Sequence, residues 1–353
     1  MVVWIQNPFD NLPGEGFRKM RYALMAEAFI RAGHDVVYWT SDFSHAVKRR
    51  RELTGAHPPR MDVRLVKTRP YSRNISIRRV ASHLLYSRRW VRDAELALAE
   101  GLARPEVIVS SFPTISAAAA SIRLARRIGA SVAVDVQDAW PETFERVAPR
   151  WMLAPLRAES RRVFIEADFV TGVCERYREL TGRDDYYLAY LGIEAGERPN
   201  PPHSRVGRGR IAYVGGVGRT YDLDTVRRAA ASLGMELAVA GGDNYLGSAE
   251  LEEMLSGCDV GVVPMSDNSW VGLPNKLFDY ARAGLPIVSS LGGESSALIS
   301  RYRCGATYRA GDAASLADAI AAALCCEPLA SRRMCEAEFD AAKIYDAYVR
   351  FLI

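Results

Sequence analysis

The sequence predicts an α/β fold made of two doubly wound halves that a linker joins. Apolar segments of strand length alternate along the chain with longer segments of helical periodicity, the pattern of parallel sheets covered by helices. The 353 residues suit two domains of ordinary size. Periodicity breaks at residues 196–209, a segment rich in Gly, Pro and Arg that is the predicted linker. We therefore expect Rossmann-like domains over 1–195 and 210–334, and a C-terminal helix over 335–353.

The first half opens with a strand, a loop, a helix and a strand, the repeating unit of doubly wound folds. Strands are predicted at Val2–Gln6, His34–Thr40, Val63–Lys67, Val107–Ser111, Ser131–Val136, Phe169–Gly172 and Tyr186–Tyr190, and helices at Arg18–Ala32 and Ile115–Ile128. The first loop contains Gly14 and Gly16, which would let the backbone approach a ligand closely. Such folds bind ligands at this place, although glycines in a surface loop need no ligand.

The second half repeats the alternation of strands and helices. Its predicted elements are the strand Ile211–Val214, the helix Thr225–Leu233, the strand Glu236–Ala240, the helix Ala249–Ser256 and the strand Asp259–Pro264. An amphipathic helix over about Cys335–Leu352 ends the chain. We expect this last helix to cross back to the first domain.

The most informative segment is VGLPNKLFDYARAGLPIV, residues 271–288. Pro274 suits a first helical position because its missing N–H would have no helical partner, and the next N–H groups lie at the positive end of the helix dipole, where an anion binds well. Lys276 adds a cation in that turn, which is unfavourable by about 0.3–1 kcal/mol unless an anion joins it. Gly284 is the predicted C-cap. The alternative is an ordinary amphipathic helix with Lys276 and Asp279 as a surface pair.

The part of this segment that reads GLPNKLFDYARAGLPIV resembles the donor-site helix of the retaining GT-B glycosyltransferases, a family that includes sucrose synthases and bacterial transferases of surface polysaccharides. The resemblance implies the GT-B fold, two Rossmann-like domains facing each other across a cleft, and a nucleoside diphosphate sugar as donor. It implies that Asn275 and Lys276 face the diphosphate and that Asp279 binds the ribose. The donor-binding segment also contains Gly272, Leu273 and Pro274.

Two loops of the second half extend this resemblance. The loop after the strand Ile211–Val214 contains Gly215, Gly216 and Arg219 and is similar to the family's first phosphate loop, in which an arginine stabilises the leaving diphosphate. Arg219 is otherwise a surface loop arginine. In the next loop, Asp243 would contact the donor.

The sequence departs from the family pattern at two positions. Many members have a Glu that contacts the donor sugar where this chain has Val271, which weakens any inference about that sugar. They often have a Lys where this chain has Asp224. One cation is therefore missing, and the resemblance implies that Lys276 neutralises more of the diphosphate charge.

The segment DVQDAWPE resembles the DxWPE segment of polysaccharide glycosyltransferases. Asp138 would accept a proton from the acceptor hydroxyl or orient it, and Trp140 offers a flat face for a sugar ring. The alternative makes Asp138 a cap or turn residue and Trp140 a core residue. On the first interpretation Asp138, Arg219 and Lys276 are the catalytic residues, and Asp138 and Trp140 bind the acceptor.

Charge is unevenly distributed along the chain, whose net charge is only +4. Residues 1–180 contain 29 Lys and Arg against 20 Asp and Glu, and much of the excess lies in the basic segment 69–92. Apolar residues are interleaved with the arginines of this segment, namely Ile75, Ile77, Val80, Leu84, Leu85, Tyr86, Trp90 and Val91. Such a segment suits docking on an anionic membrane surface, although a solvated helix face is the common alternative. Nucleic-acid binding is disfavoured, because no binding motif is present.

Other patterns argue against several classes of protein. No apolar run has membrane-spanning length, and the opening MVVWIQNP lacks the features of a signal peptide, so we expect a cytoplasmic protein on the inner face of the membrane. The six cysteines have no CxxC spacing, and no DxD-like motif stands out. We therefore expect no metal and no cofactor, with the sugar nucleotide as co-substrate.

The resulting hypothesis is a glycosyltransferase that moves a sugar with retention to a hydroxyl acceptor, a saccharide or a lipid-linked saccharide, in the biosynthesis of surface polysaccharide or glycolipid. Two alternatives remain open. A non-hydrolysing sugar-nucleotide epimerase shares the GT-B layout and needs no acceptor. A non-catalytic sugar-nucleotide-binding partner would bind nucleotide without turnover.

Overall fold

The computed structural model describes residues 1–12, 15, 19–53, 57–72, 76–145, 148–194, 196, 209–216, 221–241, 246–266 and 270–353. The chain divides into two compact units, the first formed by Met1–Ala189 with Ala342–Ile353 and the second by Tyr190–Ala341. The first unit thus ends before the predicted limit at residue 195, and the chain returns to it at Ala342.

The first unit contains a sheet of seven parallel strands. The strands are β1 (Val2–Gln6), β2 (Asp35–Ser41), β3 (Met61–Val66), β4 (Val107–Phe112), β5 (Ser131–Val136), β6 (Phe169–Gly172) and β7 (Tyr187–Leu188). Its helices are α1 (Arg21–Arg31), α2 (Ile77–Ala99), α3 (Ile115–Ile128), α4 (Arg150–Glu166) and α5 (Arg176–Thr181), with a 3₁₀ turn at Glu142–Phe144. Strand order is β3-β2-β1-β4-β5-β6-β7. The order reverses between β1 and β4, so loops at their carboxyl ends flank the usual ligand position of doubly wound folds.

A buried ion pair connects helix α1 with strands β5 and β6 in the first unit. Arg21, at the start of α1, donates two hydrogen bonds of 2.8 Å to the carboxylate of Asp135 on β5, and both side chains are fully buried. The same carboxylate accepts hydrogen bonds from Tyr22 at 2.8 Å and from Thr171 on β6 at 2.7 Å. Burial alone would raise the pKa of Asp135, but Arg21 outweighs this and holds it below its ordinary value. Every oxygen of the buried charge is thus compensated.

Helix α2 packs on the sheet through one face. Trp90 lies 5.2 Å from Trp39 and 6.0 Å from Trp4, measured between ring centroids, and Tyr86 donates a hydrogen bond to the Trp39 carbonyl. The spacing of Tyr86, Trp90 and Ala94 is four residues, so these side chains form one buried stripe. Two of the apolar residues expected to contact a membrane, Tyr86 and Trp90, are therefore core residues.

The described residues of the second unit form a sheet of five parallel strands and six helices. The strands are β8 (Arg210–Val214), β9 (Glu236–Ala240), β10 (Val260–Val263), β11 (Ile287–Ser289) and β12 (Gly305–Thr307). The helices are α6 (Leu223–Leu233), α7 (Ser248–Ser256), α8 (Asn275–Ala283), α9 (Gly293–Arg301), α10 (Ala313–Leu324) and α11 (Ala330–Glu338). Strand order is β9-β8-β10-β11-β12, which reverses between β8 and β10. The core lies between this sheet and helices α6 and α10.

The single helix predicted over 335–353 is wrong, because α11 ends at Glu338 and a second helix, α12 (Ala341–Leu352), follows. At the break the backbone pairs with Ile193: the Ile193 N–H donates to the Phe339 carbonyl at 2.8 Å, and the Ala341 N–H donates to the Ile193 carbonyl at 3.1 Å. These bonds replace helical ones. Helix α12 packs in the first unit, where the Arg21 guanidinium lies over the rings of Tyr345 and Tyr348.

We expect Asp135→Ala to destabilise the protein by about 3–5 kcal/mol, because it leaves the Arg21 charge buried without its partner. Asp35→Ala is the matched control, since it breaks the exposed pair of Asp35 with Arg60 on the same sheet and should change stability little. Urea unfolding measures both. Similar losses in the two variants would contradict a special role for the buried pair.

Candidate functional site

The loop after β8, which borders the reversal of strand order in the second unit, meets the loop after β9. Gly215 and Gly241 both have φ of 131°, a backbone conformation that glycine adopts without strain. A Cβ on Gly241 would lie 2.0 Å from the Gly215 carbonyl oxygen, and the Gly215 N–H donates to the Ala240 carbonyl at 2.8 Å. Only glycine at position 241 permits this approach, so the backbone of the two loops is closely packed beside the strand ends.

Helix α8 begins next to these loops. Pro274 is the N-cap, with extended backbone angles, rather than the first helical residue as predicted, so Asn275 and Lys276 occupy the first two helical positions. Extended backbone at a cap lets the chain leave β10 and turn into the helix. The helix ends at Gly284 in the left-handed conformation, which confirms the predicted C-cap.

Lys276 is the central side chain of the candidate site. It is only 4% exposed, and its Nζ lies 3.7 Å from the centroid of the Tyr221 ring and 5.4 Å from that of Tyr213. A Cβ on Gly215 would lie 3.3 Å from the same Nζ. The ammonium is therefore held at the carboxyl end of β8 among aromatic faces and backbone. The alternative considered for this helix was a surface pair of Lys276 with Asp279. It does not fit, because Lys276 is buried.

Burial lowers the pKa of Lys276 to about 7, and the nearby Asp279 opposes this only in part. Near neutral pH the amine is consequently only partly protonated. An anion at the N-terminus of α8 would restore the full charge, because an opposite charge favours the protonated amine. The site thus combines free helical N–H groups with a lysine whose charge depends on a ligand.

Tyr280 anchors α8 to the strands. Its hydroxyl accepts a hydrogen bond from the Val214 N–H at 2.9 Å and lies 3.1 Å from the Val262 carbonyl oxygen. Its ring packs so closely on Gly261 that a Cβ there would lie 2.3 Å from the ring. The register of Lys276 relative to the strand ends is set by this contact.

Several other predicted donor residues lie around Lys276. Gly272 and Leu273 are buried just before the helix, Asn275 is exposed at its first position, and Asp279 is half-buried one turn later. The Gly216 carbonyl accepts a hydrogen bond of 2.6 Å from Tyr213. Four predicted residues lie outside the described residues: Gly14, Gly16, Arg219 and Asp243.

The predicted acceptor residues lie together in the first unit, in the loop after β5. The Asp138 carboxylate accepts hydrogen bonds from Trp140 Nε1 and from Thr143 Oγ1, each at 3.1 Å. Burial raises the pKa of Asp138 above its ordinary value. Trp140 is half-buried, and the Arg79 guanidinium lies 5.3 Å from its ring centroid. Asp138 therefore holds the indole in place, whatever further role it has.

Sequence reasoning missed the aromatic and basic side chains that surround these residues. In the second unit they are Tyr213, Tyr221 and Tyr280, and in the first unit they are Phe9, Arg79 and His83. Phe9 follows β1 and Arg79 lies in the first turn of α2, positions that a pattern search could have used, whereas Tyr213 lies within β8 and Tyr280 within α8. Within the described part of the chain, no group of three His, Cys, Asp or Glu residues could hold a metal ion.

Comparison with known proteins identifies the family. Residues 20–187 match the glycosyl transferase 4-like domain, and residues 210–325 match the model for glycosyl transferases group 1. The chain belongs to the group 1 glycosyltransferases. No curated protein sequence matches this glycosyltransferase.

Solved structures share the fold of this glycosyltransferase over its whole length. Sucrose-phosphate synthase from Thermosynechococcus elongatus is 13% identical, with a TM-score of 0.75 over 99% of this chain and 98% of its own. HepE of Anabaena, solved with UDP-glucose, is 12% identical, with a TM-score of 0.66 over 100% and 99%. WaaG, a glycosyltransferase involved in lipopolysaccharide biosynthesis, is 14% identical, with a TM-score of 0.60 over 99% of both chains. These similarities confirm the predicted GT-B fold with two Rossmann-like units.

We expect Lys276→Met to stabilise the ligand-free glycosyltransferase at pH 7, because it removes a buried cation. The folded chain lowers the pKa of Lys276 from 10.5 to about 7, so the unfolded chain binds more protons between these values. Stability of the wild type should therefore rise relative to the variant between pH 7 and 10, by on the order of 1 kcal/mol per pH unit.

Urea unfolding of both proteins at several pH values measures this difference. Arg227→Met is the control, because Arg227 is exposed and paired with Asp224 in the same unit. A difference between wild type and Lys276→Met that does not change with pH would contradict a buried, partly deprotonated lysine.

Proposed function

We propose that this glycosyltransferase transfers a sugar from a nucleoside diphosphate sugar to a hydroxyl acceptor with retention of anomeric configuration. The observation that carries the proposal is the buried Lys276 in the first turn of α8, at the carboxyl ends of β8 and β10. A buried cation beside free helical N–H groups is costly unless an anion binds it. A diphosphate supplies that anion.

The nucleotide part of the donor is supported by the surroundings of the lysine. The backbone at Gly215 and Gly241 lies close to the lysine and the strand ends, and Asp279 lies one turn along α8, where it would bind ribose hydroxyls. HepE of Anabaena, which shares the fold, was solved with UDP-glucose. UDP is accordingly the first nucleotide to test.

The proposed reaction forms a bond between the acceptor oxygen and the anomeric carbon as the bond from that carbon to the diphosphate breaks. Negative charge then grows on the departing diphosphate, where Lys276 and the first N–H groups of α8 would stabilise it. The acceptor proton passes to the leaving phosphate oxygen, and nucleoside diphosphate is released. These protein groups would take the place of a metal ion. Arg219 would add a further cation.

In the first unit, Asp138 would orient the acceptor hydroxyl and Trp140 would stack on the acceptor sugar. The hydrogen bond from Trp140 Nε1 to Asp138 supports this assignment, because it places the carboxylate at the edge of the ring whose face would stack on the sugar. The resemblance of DVQDAWPE to polysaccharide glycosyltransferases supports a saccharide or lipid-linked saccharide acceptor and a role in surface polysaccharide or glycolipid biosynthesis.

We expect one nucleoside diphosphate among UDP, GDP, dTDP and ADP to raise the thermal stability of the wild type. A ligand at a hundred times its dissociation constant stabilises by about 2.7 kcal/mol, an easily measured change. Lys276→Met should lose most of this stabilisation although its ligand-free form is more stable, and Arg227→Met should keep it. If none of the four stabilises the wild type, or Lys276→Met responds equally, the donor site is wrong.

Turnover distinguishes the transferase from its alternatives. With the matching nucleotide sugar, slow transfer to water releases free sugar whose first anomer, seen by proton NMR, should be that of the donor. If the opposite anomer appeared first, the reaction would not proceed with retention. A new sugar nucleotide formed without an acceptor would favour an epimerase, whereas binding with no turnover across saccharide and lipid-linked acceptors would favour a non-catalytic binding partner.

Peripheral membrane binding is a second part of the proposal. No helix in the described part of the chain is long and apolar enough to cross a membrane. Helix α2 exposes Val80 and Leu84, by 56% and 47%, on the side away from its buried stripe. Helix α4 exposes Trp151 by 74% and Met152 by 52%, and α3 packs against both helices. Exposed apolar side chains of this size suit insertion at a lipid interface.

A groove between α2 and α3 adds the charge that an anionic surface needs. It has a volume of about 650 Å³, with Leu84, Val91 and Ala120 among its apolar lining. Four arginines line it: Arg88, Arg123, Arg126 and Arg127. Two of them, Arg126 and Arg127, pair with Glu166 and Glu95. We expect lipid phosphates to lie beside Arg88 and Arg123.

We expect the protein to co-sediment with vesicles that contain phosphatidylglycerol and not with vesicles of phosphatidylcholine alone. The double variant Arg88→Gln, Arg123→Gln should bind about 30-fold less tightly, since each basic residue contributes about 1 kcal/mol near headgroups. Its control is Arg227→Gln, Arg309→Gln, which removes two exposed arginines of the second unit. Equal binding by the two double variants would contradict this docking surface.

A further inference from the structure

Basic and aromatic side chains gather at the carboxyl edge of the first unit's sheet. They come from the loops after β1, β2 and β3 and from the first two turns of α2. We name them the basic aromatic cluster; its members are Phe9, His45, Lys48, Tyr71, Arg79 and His83. The cluster borders Trp140, so it lies beside the position proposed for the acceptor.

Arg79 joins the cluster to Trp140. Its guanidinium lies 5.3 Å from the Trp140 ring centroid and 5.7 Å from that of Phe9, and its Nε donates a hydrogen bond to His83 Nε2 at 3.3 Å. The His83 ring in turn lies 5.9 Å from Trp140 at a shallow angle of 30°. One cation and one imidazole thus border the indole together.

Lys48 lies at the other end of the cluster. Its Nζ is 3.3 Å from His45 Nδ1 and 4.9 Å from the centroid of the Tyr71 ring, and the Tyr71 hydroxyl is 2.6 Å from the same His45 nitrogen. Lysine has only donor hydrogens, so His45 Nδ1 accepts and His45 Nε2 carries the ring proton. For the same reason His83 Nε2 accepts from Arg79 and His83 Nδ1 carries the proton.

The two histidines are therefore neutral donors rather than cations. Burial, and then the charges of Lys48 and Arg79, lower the pKa of His45 to about 3, and burial with Arg79 does the same for His83. Burial also lowers the pKa of Lys48 to about 8. Two cations and two imidazole N–H donors lie in this half-buried region. Burial lowers the pKa of Arg79, and the negative charge of Asp138 acts in the opposite direction.

The backbone at Lys48 is an independent sign that its position matters. Lys48 has φ of 56°, in the left-handed region that glycine or asparagine normally occupies. Its N–H donates to the Ser44 carbonyl at 3.0 Å, which closes the turn that presents the side chain. A residue with an unfavourable backbone conformation and a side chain directed at a cation-rich cluster fits a functional constraint better than packing alone.

We propose that the acceptor carries a phosphate group and that Lys48 and Arg79 bind it. This rests on the transferase function proposed above and names the chemical class of its acceptor. Two cations in one cluster match the double negative charge of a phosphate better than the single charge of a carboxylate, and Arg and Lys are the usual phosphate ligands. Trp140, beside Arg79, would then stack on the sugar that bears the phosphate.

Ligand-observed NMR and titration calorimetry with glucose 6-phosphate, glucuronate and glucose test this inference. The titrations use UDP-saturated wild type and, in parallel, Lys276→Met, so that anion binding at the donor helix does not contribute. We expect glucose 6-phosphate to bind at least about tenfold more tightly than glucose, as hydrogen bonds to a charged group imply.

Lys48→Gly and Arg79→Gln should each weaken glucose 6-phosphate binding by about tenfold. Glycine accepts the left-handed backbone at position 48, so the first variant should fold, and thermal melting checks both. Arg92→Gln is the matched control, because Arg92 is exposed on the same helix and pairs with Asp93. It should bind like the wild type.

Three results would overturn the inference: glucose 6-phosphate binding no tighter than glucose, glucuronate binding equally tightly, or unchanged affinity in both Lys48→Gly and Arg79→Gln. If nucleotides fail to bind while the binding of glucose 6-phosphate still depends on Lys48 and Arg79, the donor proposal fails and the phosphate site stands.

Geranyl diphosphate and inorganic diphosphate identify the source of the phosphate. Tighter binding of the former indicates a lipid-linked acceptor, and equal binding a soluble one; both support the site.

Discussion

The first unit depends on the buried pair between Arg21 and Asp135. Helix α1, strands β5 and β6 and the last helix α12 all contribute side chains around this charge, and none of them could move without leaving a donor or an oxygen unpaired. Asp138 follows Asp135 by three residues, so the pair also determines where the acceptor loop leaves the sheet. The position of the proposed acceptor site is thus a consequence of a structural ion pair.

Lys276 is the opposite kind of buried charge. Arg21 has a carboxylate with every oxygen satisfied, whereas Lys276 has aromatic rings, backbone and a partly compensating Asp279. The structure therefore bears a cost in stability at the donor helix that a diphosphate would offset. On the proposed function, binding of the donor would remove that cost, so the same lysine would serve the chemistry and weaken the ligand-free protein.

Both proposed binding regions follow one rule of doubly wound folds. In each unit the strand order reverses once, and the proposed chemistry lies at the carboxyl ends of the strands near the reversal: Gly215 and Lys276 in the second unit, and Asp138 with the basic aromatic cluster in the first. The two differ in how the charge is supplied. A helix N-terminus with one lysine suits a diphosphate, while a loop that presents Lys48 and a helix that presents Arg79 suit a single phosphate group.

The sequence by itself determined most of the strands and the C-cap at Gly284, because these depend on periodicity and local chemistry. The tertiary structure alone decided that Lys276 is buried, since Tyr213 and Tyr221 reach it from another strand and loop. It also decided that Trp90 belongs to the core and Arg79 to the acceptor side, although both lie in one basic segment. The helix break at Phe339 needs hydrogen bonds to Ile193, far away in the chain. Contacts between distant residues leave no periodic pattern, so no local sequence analysis could find them.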